Sequence, residues 1–114
     1  MINAYMLNAW IGIRPRPDFS EFADTFNNYI TKLTDAIDKD ILDSINSGQY
    51  AGGRIQLGEN TANIIKEITL DPQYHNANYS RNLWFPLKHE LEVAGYGIYN
   101  PYDHLTFWNL IVTF

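Results

Sequence analysis

The chain has 114 residues, of which 46% are hydrophobic and 15% aromatic, and a net charge of −5. This size and composition predict a single domain over residues 1–114, because such a chain can bury enough apolar surface to offset its ordering entropy. The lack of cysteine excludes disulfides and thiolate metal sites, and the negative charge argues against direct binding of nucleic acid, which needs clustered Lys and Arg.

The first predicted element is an apolar segment at residues 2–13. It is rich in Tyr, Trp, Ile and Leu without polar alternation, which is typical of a strand buried on both faces. Asn3 and Asn8 interrupt the apolar run, and the segment lacks the positive n-region of a signal peptide. No stretch approaches the roughly 18 apolar residues of a membrane span. We therefore expect a cytoplasmic protein with no membrane partner.

A long amphipathic helix is predicted from Phe19 onwards. At about 100° per residue, six apolar side chains fall on one stripe. The stripe consists of Phe19, Phe22, Phe26, Ile30, Leu33 and Ile37. Near the C-terminal end the register drifts, because Asp40 falls under the stripe while Leu42 and Ile45 turn away from it. This drift predicts either a bend near residues 39–41, which Asp40 would cap, or a change in the surface against which the helix packs.

The middle of the chain is less clearly patterned. Glycines flanking a short apolar run predict a turn and a strand at residues 54–57. Residues 60–70 fit a helix or a strand almost equally well, and their β-branched content favours a strand.

The last third predicts one more helix and a terminal strand. The helix covers residues 80–94, or begins near Phe85, because Pro86 is compatible only with the first turn of a helix. Residues 96–104 read as a turn, and residues 105–114 as a second strand apolar on both faces. The expected fold is therefore an α+β single-domain sandwich. A central, mainly antiparallel sheet holds the buried N- and C-terminal strands, and the long helix and the second helix cover it. The strand order and the oligomeric state stay open.

Three segments of the sequence match only part of a motif with known chemistry. Residues 38–40 start like a calcium loop, but Leu42 stands at the next ligand position and Asp43 where the turn glycine belongs. Residues 89–93 start like a zinc-protease helix, but Val93 replaces the second histidine. The glycine-rich AGGRIQLGEN segment lacks both phosphate-loop spacings. The sequence therefore indicates no catalytic, metal or cofactor site.

Histidines and loop tyrosines remain candidates for other roles. A small-molecule-binding protein or small enzyme would use His89, His104 and Tyr102, provided that these groups meet in space. The tyrosines near predicted loops have the amphipathic character of interface residues. These tyrosines are Tyr74, Tyr79, Tyr96, Tyr99 and Tyr102.

The acidic residues are concentrated in one part of the chain. Residues 18–46 hold seven acidic side chains against two lysines, an excess that equals the net charge of the whole chain. The seven are Asp18, Glu21, Asp24, Asp35, Asp38, Asp40 and Asp43. Asp35 and Lys39 have the i, i+4 spacing of a helical ion pair, but most of the charge lacks a nearby base. An uncompensated acidic surface predicts a basic partner.

In its size, acidity, aromatic content and lack of enzymatic motifs, the chain resembles immunity proteins of the contact-dependent growth inhibition and polymorphic-toxin class. This resemblance implies an antitoxin without enzymatic activity that binds one cognate toxin domain, commonly a nuclease, and covers its active site or blocks its substrate path. The residues expected to contact the toxin are Asp24, Asp35, Asp38, Asp43, Tyr99 and Tyr102. A phage-encoded or regulatory inhibitor of a nucleic-acid-binding protein would use the same charges, and the small-molecule protein described above is the third possibility.

Overall fold

The computed structural model describes residues 2–99, 104–105 and 110–114. This part of the chain is an α+β structure with the following elements. The helices are α1 (Ala4–Gly12), α2 (Phe19–Asn46), α3 (Glu59–Thr69), the short α4 (Tyr79–Asn82) and α5 (Trp84–Val93). The strands are β1 (Arg54–Gln56), β2 (Gly97–Tyr99) and β3 (Ile111–Thr113), and a 3₁₀ turn at Ala51–Gly53 precedes β1. None of the helices in the described ranges is long and apolar enough to cross a membrane.

The sheet formed by the described strands is antiparallel throughout, in the order β1-β3-β2. Its register aligns Ile55 with Val112 and Val112 with Ile98. Ile55 and Val112 are buried and Ile98 is partly buried, so this row faces the core. The antiparallel sheet and the strands near residues 54–57 and the C-terminus are therefore confirmed. β3 is buried on one face only, and residues 106–109 of the predicted strand lie outside the described residues.

The prediction of an N-terminal strand is wrong, because residues 4–12 form helix α1. The side chain of Asn3 caps this helix, accepting a hydrogen bond of 2.9 Å from the backbone N–H of Met6. Met6 and Ala9, one turn apart, are its buried residues. This buried side packs in a helix that contacts both α2 and α4. The absence of polar alternation therefore indicated neither the type of element nor its burial, because Leu7 and Ile11 on α1 are 41% and 52% exposed.

The long helix α2 has 28 residues and a length of about 42 Å. Its predicted stripe faces the core, with Phe22, Phe26, Leu33 and Ile37 buried. It is one continuous helix through residues 39–41, with no break at the position where a bend was one of the two expectations. Asp40 lies on the buried side as expected, but it caps the start of α3 rather than a bend.

Residues 59–69 form helix α3, and the preference for a strand in this segment was wrong. Thr61, Ile65 and Ile68 are buried at helical spacing. Besides the Asp40 cap, two polar contacts near the C-terminal end of α3 join this region to α2. Lys32 forms an ion pair of 2.7 Å with Glu67, and the Tyr29 hydroxyl donates a hydrogen bond of 2.5 Å to Asp71 just after the helix.

The predicted second helix is divided into α4 and α5. Pro86 is the third residue of α5, which places it in the first turn as the sequence required. Trp84, Leu87 and Leu91 point from α5 into the core. The segment after α5 was predicted as a turn, but Gly97–Tyr99 pair with β3 as strand β2.

Candidate functional site

Three of the predicted contact residues lie together on the outer side of α2. Asp24, Asp35 and Asp38 are exposed, and at about 100° per residue they point within about 60° of one another, away from the buried stripe. Asp24 and Asp38 are about 21 Å apart along the helix axis at a rise of about 1.5 Å per residue. We call these three residues the acidic face.

The acidic face makes no ion pair with a base of the described residues. Their ion pairs join Lys32 to Glu67 and Lys88 to Glu92, and neither involves the face. The predicted pair between Asp35 and Lys39 is not formed, although both side chains are on α2 and exposed. The charge of this surface is therefore more available than the sequence suggested.

Asp43 is exposed but separate from the acidic face. It lies about 80° or more around the helix from the three other aspartates, on the side toward α3. The Asn60 side-chain amide donates a hydrogen bond of 3.3 Å to it. The four predicted aspartates therefore form one group of three and one isolated member.

Asp40 has a structural role at the junction of α2, β1 and α3. Only 4% of its surface is exposed. Its carboxylate accepts hydrogen bonds from the backbone N–H groups of Gly58, Asn60 and Thr61 at 2.9, 3.2 and 2.8 Å. The Asn60 side chain adds a fourth at 2.9 Å. Because Gly58, the N-cap residue of α3, has no side chain to cap it, Asp40 supplies the cap from another helix.

These hydrogen bonds determine the ionisation of Asp40. Burial, the largest single influence, raises the pKa of its carboxyl. The donors on Thr61, Asn60 and Gly58 together outweigh burial and hold the pKa below its ordinary value. Asp40 is therefore a charged structural cap at neutral pH, where the positive end of the α3 dipole also favours it.

Two exposed aliphatic residues lie on the outer side of α2, beyond Asp35 and Asp38. They were not among the site residues predicted from the sequence. Leu42 is 56% exposed and Ile45 is 50% exposed. Leu42 follows Asp35 and Asp38 by seven and four residues, and Ile45 follows them by ten and seven, so these positions share one side of the helix. The drift of the apolar stripe was the sequence signal, since it directed both side chains away from the core. We call Leu42 and Ile45 the aliphatic end.

The predicted tyrosines have different environments. Tyr99 is 55% exposed on the edge strand β2, where a partner has access to it, whereas Tyr102 lies outside the described residues. Tyr79 is buried, and Tyr74 and Tyr96 pack partly against the core. Exposure therefore supports an interface role for Tyr99 but not for Tyr79.

His89 and His104 do not line the same groove in the described part of the chain. His89 borders an open groove of about 410 Å³ between α5 and the start of α1, beside Tyr5 and Phe85. His104 is exposed and is not among the residues that line this groove. Within the described ranges, no three His, Asp or Glu side chains are grouped so as to hold a metal ion.

Comparisons with known proteins give no relatives. No protein family model matches the chain. Neither a curated protein nor a solved structure matches it. The arguments about function therefore rest on the surfaces described above.

Proposed function

We propose that this chain is a cytoplasmic immunity protein that binds and neutralises a cognate toxin domain, most simply a nuclease, without catalysing a reaction. The observation that carries the proposal is the acidic face of Asp24, Asp35 and Asp38, which has no ion-pair partner among the described residues. A nuclease is a suitable partner because its cleft is lined with Lys and Arg for phosphate.

The acidic face is well suited to capture such a cleft. Its three carboxylates lie along about 21 Å of the helix, with Asp35 and Asp38 within one turn of each other. Their attraction for a basic cleft accelerates association and competes with nucleic-acid phosphates for the same bases. Because the carboxylates are held on one continuous helix of 28 residues, little backbone conformational freedom is lost on binding.

The other predicted contact residues contribute to the same proposed interface. Asp43 extends the acidic surface toward α3, and Tyr99 and Tyr102 supply aromatic contacts. Tyr99 is the one of these tyrosines whose exposure the structure describes. Aromatic side chains contribute contact area at low entropic cost, so they complement a charged face that mainly controls the rate of encounter.

The test measures association with the purified product of the gene adjacent to this one. We expect the double variant Asp35→Lys/Asp38→Lys to slow association about tenfold at 50 mM salt, with a smaller effect at 500 mM, because salt screens exposed charges. The matched control is Glu90→Lys/Glu92→Lys on α5, which changes the net charge equally at two exposed positions.

The outcomes separate the possible functions. Slower association of the α2 variant only, together with rescue of growth when the wild-type chain is co-expressed with the toxin, supports the proposal. Equal slowing by both variants means that net charge, rather than the acidic face, controls binding. The absence of a complex with the adjacent gene product contradicts the immunity function. A complex with a different nucleic-acid-binding protein instead supports the alternative of a phage or regulatory inhibitor.

A further inference from the structure

The aliphatic end of α2 is unusual for an otherwise well-segregated helix. The rest of the outer side of α2 is polar, yet Leu42 and Ile45 are 56% and 50% exposed at its C-terminal end. Single exposed aliphatic residues are normal on protein surfaces and need no explanation. Here two lie one turn apart on one side of a helix, adjoining Asp35 and Asp38, which makes a composite surface about 15 Å long.

This composite surface has the pattern of a helix that docks into a groove. Its residues are spaced i, i+3, i+7 and i+10, the repeat with which helices present anchors to a partner. Aliphatic anchors contribute affinity by leaving water, while neighbouring charges select and orient the partner. The two components therefore predict separate effects on the kinetics of binding.

We propose that Leu42 and Ile45 are the apolar anchor of the interface and insert into an apolar pocket beside the basic cleft of the toxin. This inference rests on the proposed function, and it adds which residues hold the partner after electrostatic encounter. The partner is assigned by charge complementarity: a surface that contacts Leu42 also lies within one or two turns of Asp35 and Asp38, so it must carry bases there.

Two other occupants fit the charges less well. A second copy of this chain would bring its own Asp35 and Asp38 to a symmetric interface, where like charges repel. An anionic lipid surface would be repelled by the same carboxylates. A basic protein therefore matches both components of the surface.

The anchor makes a quantitative prediction about dissociation. Burial of a whole Leu or Ile side chain corresponds to roughly a tenfold to hundredfold change in affinity, and about half of each side chain remains to be buried here. We therefore expect Leu42→Ala/Ile45→Ala to raise the dissociation rate about thirtyfold and to change the association rate less than twofold. Alanine is a strong helix former, and both positions are exposed, so α2 should stay folded.

A matched control is available at two other exposed aliphatic positions. Leu70 after α3 and Val93 at the end of α5 are 75% and 72% exposed, so Leu70→Ala/Val93→Ala removes similar side chains elsewhere. We expect this control to change neither rate more than twofold. The experiment measures both rates by surface-immobilised binding with the purified product of the adjacent gene, beside the charge variant Asp35→Lys/Asp38→Lys. Sedimentation of each variant alone gives its oligomeric state.

Each outcome bears on one of the two proposals. A large rise in the dissociation rate for the Leu42/Ile45 variant only supports the anchor. Unchanged dissociation of that variant, with slower association of the charge variant, overturns the anchor but leaves the proposed function intact. A wild-type dimer that becomes monomeric in the Leu42/Ile45 variant overturns the anchor by assigning the surface to a second copy. The absence of any complex with the adjacent gene product overturns the proposed function and the anchor together.

Discussion

The cap that Asp40 forms on α3 provides a direct test of the structural argument. Asp40→Asn keeps the size of the side chain but replaces one acceptor oxygen with an NH₂ group and removes the charge. In wild type, one carboxylate oxygen accepts hydrogen bonds from the backbone of Gly58 and Thr61, and the other accepts two from Asn60. The asparagine carbonyl can serve only one of these pairs, so its NH₂ group must face two N–H donors.

The cost follows from the groups left without an acceptor. Each buried backbone N–H that loses its partner costs about 1–3 kcal/mol, and the lost charge at the start of α3 costs a further 0.3–1 kcal/mol or so. We therefore expect Asp40→Asn to lower the free energy of unfolding by about 3 kcal/mol at pH 7. For a chain of this length that corresponds to a decrease of about 12 °C in the melting temperature.

The difference should also depend on pH. Because the pKa of Asp40 is lowered in the folded state, its stabilisation is fully present above its unfolded pKa of about 3.9 and is lost as the pH falls through the folded pKa. Urea unfolding of wild type and Asp40→Asn at pH 7, 5 and 3 should show a constant gap at the first two values and a smaller one at the third.

A neighbouring aspartate serves as the control. Asp43 is exposed and receives one long hydrogen bond from Asn60, so Asp43→Asn should change stability by less than about 0.5 kcal/mol. A gap below about 1 kcal/mol for Asp40→Asn at pH 7, or a gap that does not shrink at pH 3, would refute the assignment of Asp40 as the charged cap of α3.

Three further substitutions test the packing by urea unfolding. Gly12→Ala should destabilise the fold by about 2–3 kcal/mol, because a Cβ at Gly12 would overlap the carbonyl oxygen of Asn76; Asn8→Ala on the exposed side of α1 should be nearly neutral. Tyr29→Phe should cost about 1 kcal/mol by removing the hydrogen bond to Asp71. Val112→Ala should cost about 2 kcal/mol, since this fully buried side chain lies at the centre of the sheet. A neutral result for any of the three would contradict the corresponding contact.

A helix could be predicted from the sequence where its buried and exposed sides differ in polarity. Helix α2 was predictable from its period because its buried stripe and its polar outer side differ clearly. Helix α1 was not, because it carries no charged residue and its exposed side is also apolar, with Leu7 and Ile11 41% and 52% exposed, so its pattern was like that of a buried strand.

The prediction of a strand at residues 60–70, where the structure has α3, was wrong for a different reason. Its Ile and Thr residues have strand propensity, but three of its side chains are buried at helical spacing and its first turn receives a cap from Asp40. That cap comes from a residue about 20 positions earlier in the chain, so the local sequence has no capping side chain that would indicate the start of the helix. Tertiary contacts determined the structure of this segment, and local propensity did not.

The burial of Asp40 also determines the direction in which Leu42 points. This part of the candidate site could therefore be predicted only once the position of Asp40 was known. Asp40 and Ser44 are one turn apart and both are buried, which fixes the rotation of the last turns of α2 relative to α3. At about 100° per residue, Leu42 must then point almost opposite to both of them. The exposure of Leu42 therefore follows from the burial of Asp40. The residue that caps α3 also sets the direction of the proposed anchor. If Asp40→Asn loosens the end of α2 without unfolding the chain, its complex with the partner should dissociate faster than the wild-type complex.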